Sequence, residues 1–154
     1  NLGLVLNIGE IVNVSDDMFH DISEFHRKFR LDKHKKPNLG TSEYQEFRLN
    51  FIKEEVAELE EALKNNDKAL VFDALIDIVY VTLGTAYVMG FPWRHGWNEV
   101  HDTNMKKVRV DSGKQSKRGS TYDVIKPRDW QPPRLEELLR HINELRRKDE
   151  SPKK

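Results

Sequence analysis

The chain has no cysteine, which excludes a disulfide framework, a thiolate metal site and a cysteine nucleophile. Any metal must be held by oxygen or imidazole, and a reducing cytoplasm is the compartment such a chain suits. Net charge is lacking too: 26 Lys plus Arg balance 26 Asp plus Glu, so no bulk field argues for nucleic acid or a membrane surface as partner. Strand-like alternation is absent apart from a weak pattern at residues 2–14, and there is no internal repeat. Residues 2–14 are apolar but carry neither a basic leader nor a small-residue cleavage site, so they do not read as a signal peptide. The long apolar run at residues 69–89 contains two aspartates, which favours a buried core helix over a membrane span.

What is present reads almost wholly as helix. Ser15-Asp-Asp can cap a first helix to about Phe29, and Thr41 or Ser42 opens a long second one to about Asn65. Asp67 caps a third, ended by Gly90, and Pro92 begins a fourth that runs to about Asn104. From Val108 to Pro133 the glycines, prolines and charges indicate a long loop, followed by an amphipathic helix from Leu135 to Leu145 and a Lys-rich end. The expected class is all-α and four-helix-bundle-like, with residues 1–14 as an N-terminal extension, 15–133 as one domain, and 134–154 as a helix and charged tail.

Asp73 and Asp77 lie one helical turn apart in the most apolar stretch of the chain, where an unpaired carboxylate is expensive. Upstream, Glu54-Glu55-Val-Ala-Glu58 supplies more acid at helical spacing. Ile52, Val56, Leu59 and Leu63 define the stripe expected to face the core, which leaves Glu55 and Glu58 on its flank and Arg48 two turns before them. On the next helix Asp73, Asp77, Tyr80 and Gly84 share a stripe. If the two helices pack antiparallel through their short turn, Glu55 and Glu58 face Asp77 and Asp73. Such hard oxygen ligands suit Mg2+, with Mn2+ as the alternative, and hydrolysis of a phosphoanhydride is the matching chemistry. Acid is concentrated between Glu43 and Glu61, whereas residues 106–118 are basic, and Arg48, Lys107, Arg109, Lys117 and Lys126 are the candidate phosphate contacts.

The blander readings are specific as well. Glu54, Glu55 and Glu58 alone could form a solvated face beside Lys53, and Asp73 and Asp77 could pair with Arg48 or Arg27. The basic segment could be an ordinary loop. His20, His26 and His101 read as surface or satisfied core histidines, with no metal-ligand spacing. Trp130, in an irregular Pro-rich segment, is expected to dock somewhere specific, over a bound ligand or over a neighbouring subunit.

Glu54-Glu55-Val-Ala-Glu58, then Asp73-Ala-Leu-Ile-Asp77, then Asn104-Met-Lys-Lys107, resembles the all-α nucleoside triphosphate pyrophosphohydrolase superfamily over about residues 16–133. That superfamily includes the MazG-like proteins, dimeric dUTPases, dCTP pyrophosphatases and phosphoribosyl-ATP pyrophosphohydrolases, and the MazG-like proteins are the nearest in pattern. The resemblance implies metal ligation by Glu55, Glu58 and Asp77, with Glu54 as a further catalytic acid. It also implies nucleotide contacts from Asn104 and Lys107, and a homodimer or homotetramer. Many relatives carry Glu three residues before the terminal aspartate, where this chain has Ala74, so Asp73 supplies the neighbouring acid instead. The implied reaction is attack of water on the α-phosphorus of a deoxyribonucleoside or non-standard nucleoside triphosphate, releasing pyrophosphate and a monophosphate. Phosphoribosyl-ATP hydrolysis is the alternative, and a non-catalytic module for oligomerisation or nucleic-acid binding is the rival from another class.

Overall fold

The computed structural model describes residues 14–31 and 33–149, with side chains from 18 to 144. The weak strand pattern at residues 2–14 falls almost wholly outside them. The described residues fall into two compact units that divide between Phe91 and Pro92.

The first unit contains helices α1 (Val14–Lys28), α2 (Ser42–Lys64) and α3 (Lys68–Val88). Local chemistry sets their ends as expected. The Thr41 hydroxyl accepts from the Tyr44 amide at 3.2 Å, and the Asp67 carboxylate accepts from the Ala69 and Leu70 amides at 3.0 and 3.1 Å. Gly90 has φ +71°, and a Cβ there would lie 2.6 Å from the His34 carbonyl oxygen, so only glycine fits. That fit lets the connection after α1 dock on the end of α3, where His34 and Asn38 amides donate to the Val88 and Met89 carbonyls.

The short turn at Asn65–Asp67 makes α2 and α3 a hairpin, and the core gathers where α1 joins them. Ile22 and Val88 are its fully buried members, with Ala62, Ala74, Val81, Leu83, Ala86 and Tyr87 around them. The α2 stripe expected to face that core is covered only in part: Val56 and Leu63 are exposed, and Arg48 and Ala62 are the buried residues of α2. On α3, Phe72, Leu75, Ile76 and Val79 recur at helical spacing and are all exposed, Phe72 to 68%. One helix among the described residues, α3, is long and apolar enough to cross a membrane by length and composition.

The second unit contains α4 (Trp93–Asn104), a two-residue ladder of β1 (Val108–Arg109) with β2 (Val124–Ile125), and α5 (Leu135–Asp149). The segment read as plain loop is thus braced. Asp123 accepts from the Ser116 hydroxyl at 2.6 Å and from Arg118 at 2.7 Å, which holds its carboxyl below the usual range. Trp130 docks inside its own unit, its indole Nε1 donating to the Thr103 carbonyl at 3.0 Å, which staples the last turn of α4. Helix α5 packs on α4, with Arg134 paired to Glu99 at 3.3 Å, and runs to Asp149, further than the sequence pattern suggested.

Candidate functional site

Glu54, Glu55 and Glu58 lie on α2, Asp73 and Asp77 on α3, and the hairpin brings all five into one field. Glu55 is half-buried, and its carboxyl is pushed up, first by desolvation, then by the charges of Glu58, Asp77, Glu54 and Asp73. That Glu55 feels acids from both helices is the geometric consequence of the antiparallel packing expected from sequence. The burial problem posed by the aspartates is milder than the sequence suggests, since Asp77 is half-buried and Asp73 exposed.

No described Lys, Arg or His forms an ion pair with any of the five. The structural salt bridge to Arg48 or Arg27 is absent: Arg27 donates to the Ser23 carbonyl, and Arg48 is engaged elsewhere. Among the described residues no three Asp, Glu or His side chains converge as a ready ligand set. The donor chemistry nevertheless fits a hard divalent cation, because unpaired carboxylates that repel one another are what such an ion relieves. Glu54, Glu58 and Asp73 are exposed and free to change rotamer.

Two turns along the same seam the character of the site changes. Arg48 on α2 is only 6% exposed and lies across α3, its Nε donating to Thr85 Oγ1 at 3.1 Å and its Nη2 to the Val81 carbonyl at 3.0 Å. Gly84 makes room for it. A Cβ there would stand 3.1 Å from Arg48 Nη2 and 3.2 Å from His26 Cε1. His26 is buried and donates through Nδ1 to the Ile22 carbonyl at 2.8 Å, the satisfied core histidine expected of it. Burial and the Arg48 charge lower its pKa.

Arg48, His26 and Gly84 line a cavity of about 410 Å3 walled by Phe25, Tyr44, Phe47, Phe51 and Tyr80. No acid lines it, whereas Arg30 and Arg48 do. The sequence reading missed this cavity. Its one legible trace was the Tyr44, Phe47, Phe51 spacing on α2, which places three rings on the flank that carries Arg48.

Asn104, Lys107, Arg109, Lys117 and Lys126 all fall in the second unit. Asn104 ends α4 as an exposed residue, and Arg109 is exposed in β1. Lys107, Lys117 and Lys126 line one depression of about 640 Å3 together with Arg118 and Asp123, so the structure groups three of the expected phosphate contacts. Lys126 Nζ also stands 4.1 Å over the Trp130 ring.

A family model described as phosphoribosyl-ATP pyrophosphohydrolase matches residues 22–104, just over half of the chain. The matched span holds Arg48, all five acids and Asn104, and ends before the β1–β2 ladder and α5. No curated protein matches the sequence. With helices throughout, paired acids on facing helices and that match, the chain belongs to the phosphoribosyl-ATP pyrophosphohydrolase family of the all-α nucleoside triphosphate pyrophosphohydrolase superfamily, and is a hydrolase of phosphoanhydride bonds.

Proposed function

We propose that the chain is a Mg2+-dependent nucleoside triphosphate pyrophosphohydrolase that yields pyrophosphate and a nucleoside monophosphate, acting on deoxyribonucleotides or non-standard nucleotides. The observation that carries this reading is that Glu55 on α2, one turn from a ring-lined cavity, lies in the field of four other carboxylates, two on its own helix and two on α3, with no cation paired to any of them among the described residues. Glu55, Glu58, Asp73 and Asp77 would hold the cation, with Mn2+ as the substitute. When bound, the ion supplies charge neutralisation at the phosphoryl oxygens and a more acidic water.

The chain's own residues do the rest. A glutamate of the Glu54, Glu55, Glu58 set accepts the proton of the attacking water as its oxygen bonds to the α-phosphorus. The α–β bridging P–O bond then breaks, and pyrophosphate leaves with the electron pair. Lys107, Arg109, Lys117 and Lys126 are the groups suited to bind phosphate oxygens, and Asn104 to contact base or sugar.

The family match favours a second reading, hydrolysis of phosphoribosyl-ATP. Pyrophosphate release from a panel of canonical and modified nucleotides and phosphoribosyl-ATP, with and without Mg2+, separates the two. Glu55→Gln, Glu58→Gln and Asp77→Asn are expected to abolish turnover with helicity intact, and full activity in Asp77→Asn would sink the assignment. Loss of metal affinity in Asp73→Ala supports the role of Asp73 as a ligand, and its retention assigns that residue to structure.

The exposed Phe72, Leu75, Ile76, Val79 face of α3 supports a homodimer or homotetramer in which a second copy covers it. Lipid is a poor alternative occupant, because Asp73 and Asp77 sit in the same helix.

A further inference from the structure

The cavity between α1, α2 and α3 contains a cation without a counter-ion, and its hydrogen-bond geometry is specific. A guanidinium carries five N–H donors in a planar fork and no acceptor. In Arg48, Nε and Nη2 lie on the same edge of that fork, and this edge is spent on α3: Nε on Thr85 Oγ1, Nη2 on the Val81 carbonyl. Thr85 Oγ1 in turn donates to the Val81 carbonyl at 2.8 Å, which locks the acceptor pair. The opposite edge, formed by Nη1 and the remaining Nη2 hydrogen, has no partner among the described residues. Among the described residues no buried side-chain nitrogen lacks a hydrogen bond, so Nη1 must reach open space, and the open space that Arg48 lines is the cavity. Phe51 backs the guanidinium at 5.5 Å and holds its plane.

A free bidentate donor edge in a partly open depression lined by five aromatic rings, Phe47 among them 57% exposed, calls for a flat ligand with two adjacent acceptors. Position says which part of a nucleotide that is. Phe51 is one turn before Glu55 on α2, and Tyr80 and Val81 are one turn after Asp77 on α3, so the acids lie one turn beyond the wall of the cavity, within reach of phosphates attached to a ring held in it.

We propose that this cavity is the base pocket and that Arg48 selects guanine, through O6 and N7, and cytosine, through O2 and N3, over adenine and uracil or thymine. The inference rests on the nucleotide pyrophosphohydrolase reading of the neighbouring acids and adds the substrate class. Adenine sets an amino group beside N7, which would aim a donor at a donor. Uracil and thymine have no two adjacent acceptors. Either mismatch leaves part of a desolvated guanidinium unpaired, the kind of defect that polar sites reject strongly. His26 adds to the match. Its Nδ1 donates to a carbonyl, so the Nε2 of the neutral ring is an acceptor, suited to the N1–H of guanine or the N4–H of cytosine beside the paired acceptors.

The test is kcat/KM for GTP, CTP, ATP and UTP and their deoxy forms, in wild type and in Arg48→Lys, which keeps the charge and loses the fork. The wild type should prefer guanine and cytosine nucleotides by about 10- to 100-fold, and Arg48→Lys should bring the four bases within a few-fold of one another. Equal use of ATP or UTP by the wild type overturns the proposal, as does an unchanged preference in the variant. Calorimetric binding of GMP, CMP, AMP and UMP to the wild type decides the pocket independently of turnover and of how the variant folds. Tighter GMP and CMP binding without release of pyrophosphate from the triphosphates keeps the pocket and removes the nucleoside triphosphate reading of the acids. Pyrophosphate release without base preference does the reverse.

Discussion

Gly84→Ala is the perturbation whose sign is most informative, because two physical effects oppose each other at one atom. In a helix interior, alanine is favoured over glycine by about 1 kcal/mol, so propensity alone predicts a stabler protein. The added Cβ would stand 3.1 Å from Arg48 Nη2, 3.2 Å from His26 Cε1 and 3.6 Å from His26 Nε2. Overpacking a close-packed site costs about 1–3 kcal/mol. The displaced Nη2 also weakens a charged hydrogen bond to the Val81 carbonyl, a class worth about 1.5–3 kcal/mol when fully lost. With propensity subtracted and only partial loss of that bond, the expected net destabilisation is about 1–2 kcal/mol. At roughly 2–4 °C per kcal/mol for a chain of this size, Tm falls by about 2–8 °C. Urea denaturation followed by circular dichroism, at fixed protein concentration, gives the free energy. Gly96→Ala is the control, since a Cβ there meets only Leu135 Cδ2 at 3.8 Å and should gain stability. A rise in stability near 1 kcal/mol for Gly84→Ala would refute the packing of Arg48 and His26 over this glycine.

In metal-free protein Glu55 is pushed up, so folding binds its proton more tightly, and its stabilising contribution is present at low pH and lost as pH rises through the raised value. Glu55→Gln should therefore stabilise the chelator-treated protein at pH 7 by about 0.5–1 kcal/mol, from relief of like-charge pairs worth a few tenths each; destabilisation in a urea titration would contradict this. His26 has the opposite sign, because its lowered pKa confers stability above the ordinary histidine range that is lost as pH falls. In the Glu55→Gln background, stability should decline as pH drops below about 6.5, and a flat profile there would remove His26 from the account. Trp130→Phe deletes the Nε1 donor to the Thr103 carbonyl and keeps an aromatic face for Lys126, so about 1 kcal/mol should be lost, together with faster amide exchange in the last turn of α4. Ile76→Glu places a charge in the exposed apolar face of α3 and should shift the protein to monomer in light scattering; an unchanged mass would mean that a second copy packs elsewhere.

How far the sequence could be read depended on the range of the interaction involved. Helix ends at Thr41, Asp67 and Gly90 were legible because capping and left-handed backbone are decided within a few residues. The ladder of Val108 with Ile125 was not, since two residues per strand leave no alternation to detect. The bond of Trp130 to the Thr103 carbonyl was not legible either, because a Pro-rich loop has no periodicity that points to its acceptor.

The sequence by itself determined that the chain is helical and carries acids at helical spacing on consecutive segments. It also contained the three-motif pattern that resembles a pyrophosphohydrolase superfamily. Periodicity and residue chemistry suffice for those. The tertiary structure alone decided that Arg48 abandons the acids for Thr85 and the Val81 carbonyl, and that the core stripe of α2 is half uncovered. It alone also decided that rings from α1, α2 and α3 line one cavity beside a free guanidinium edge. Which donor meets which acceptor there depends on the register of three helices against one another, and no stretch of a single helix encodes it.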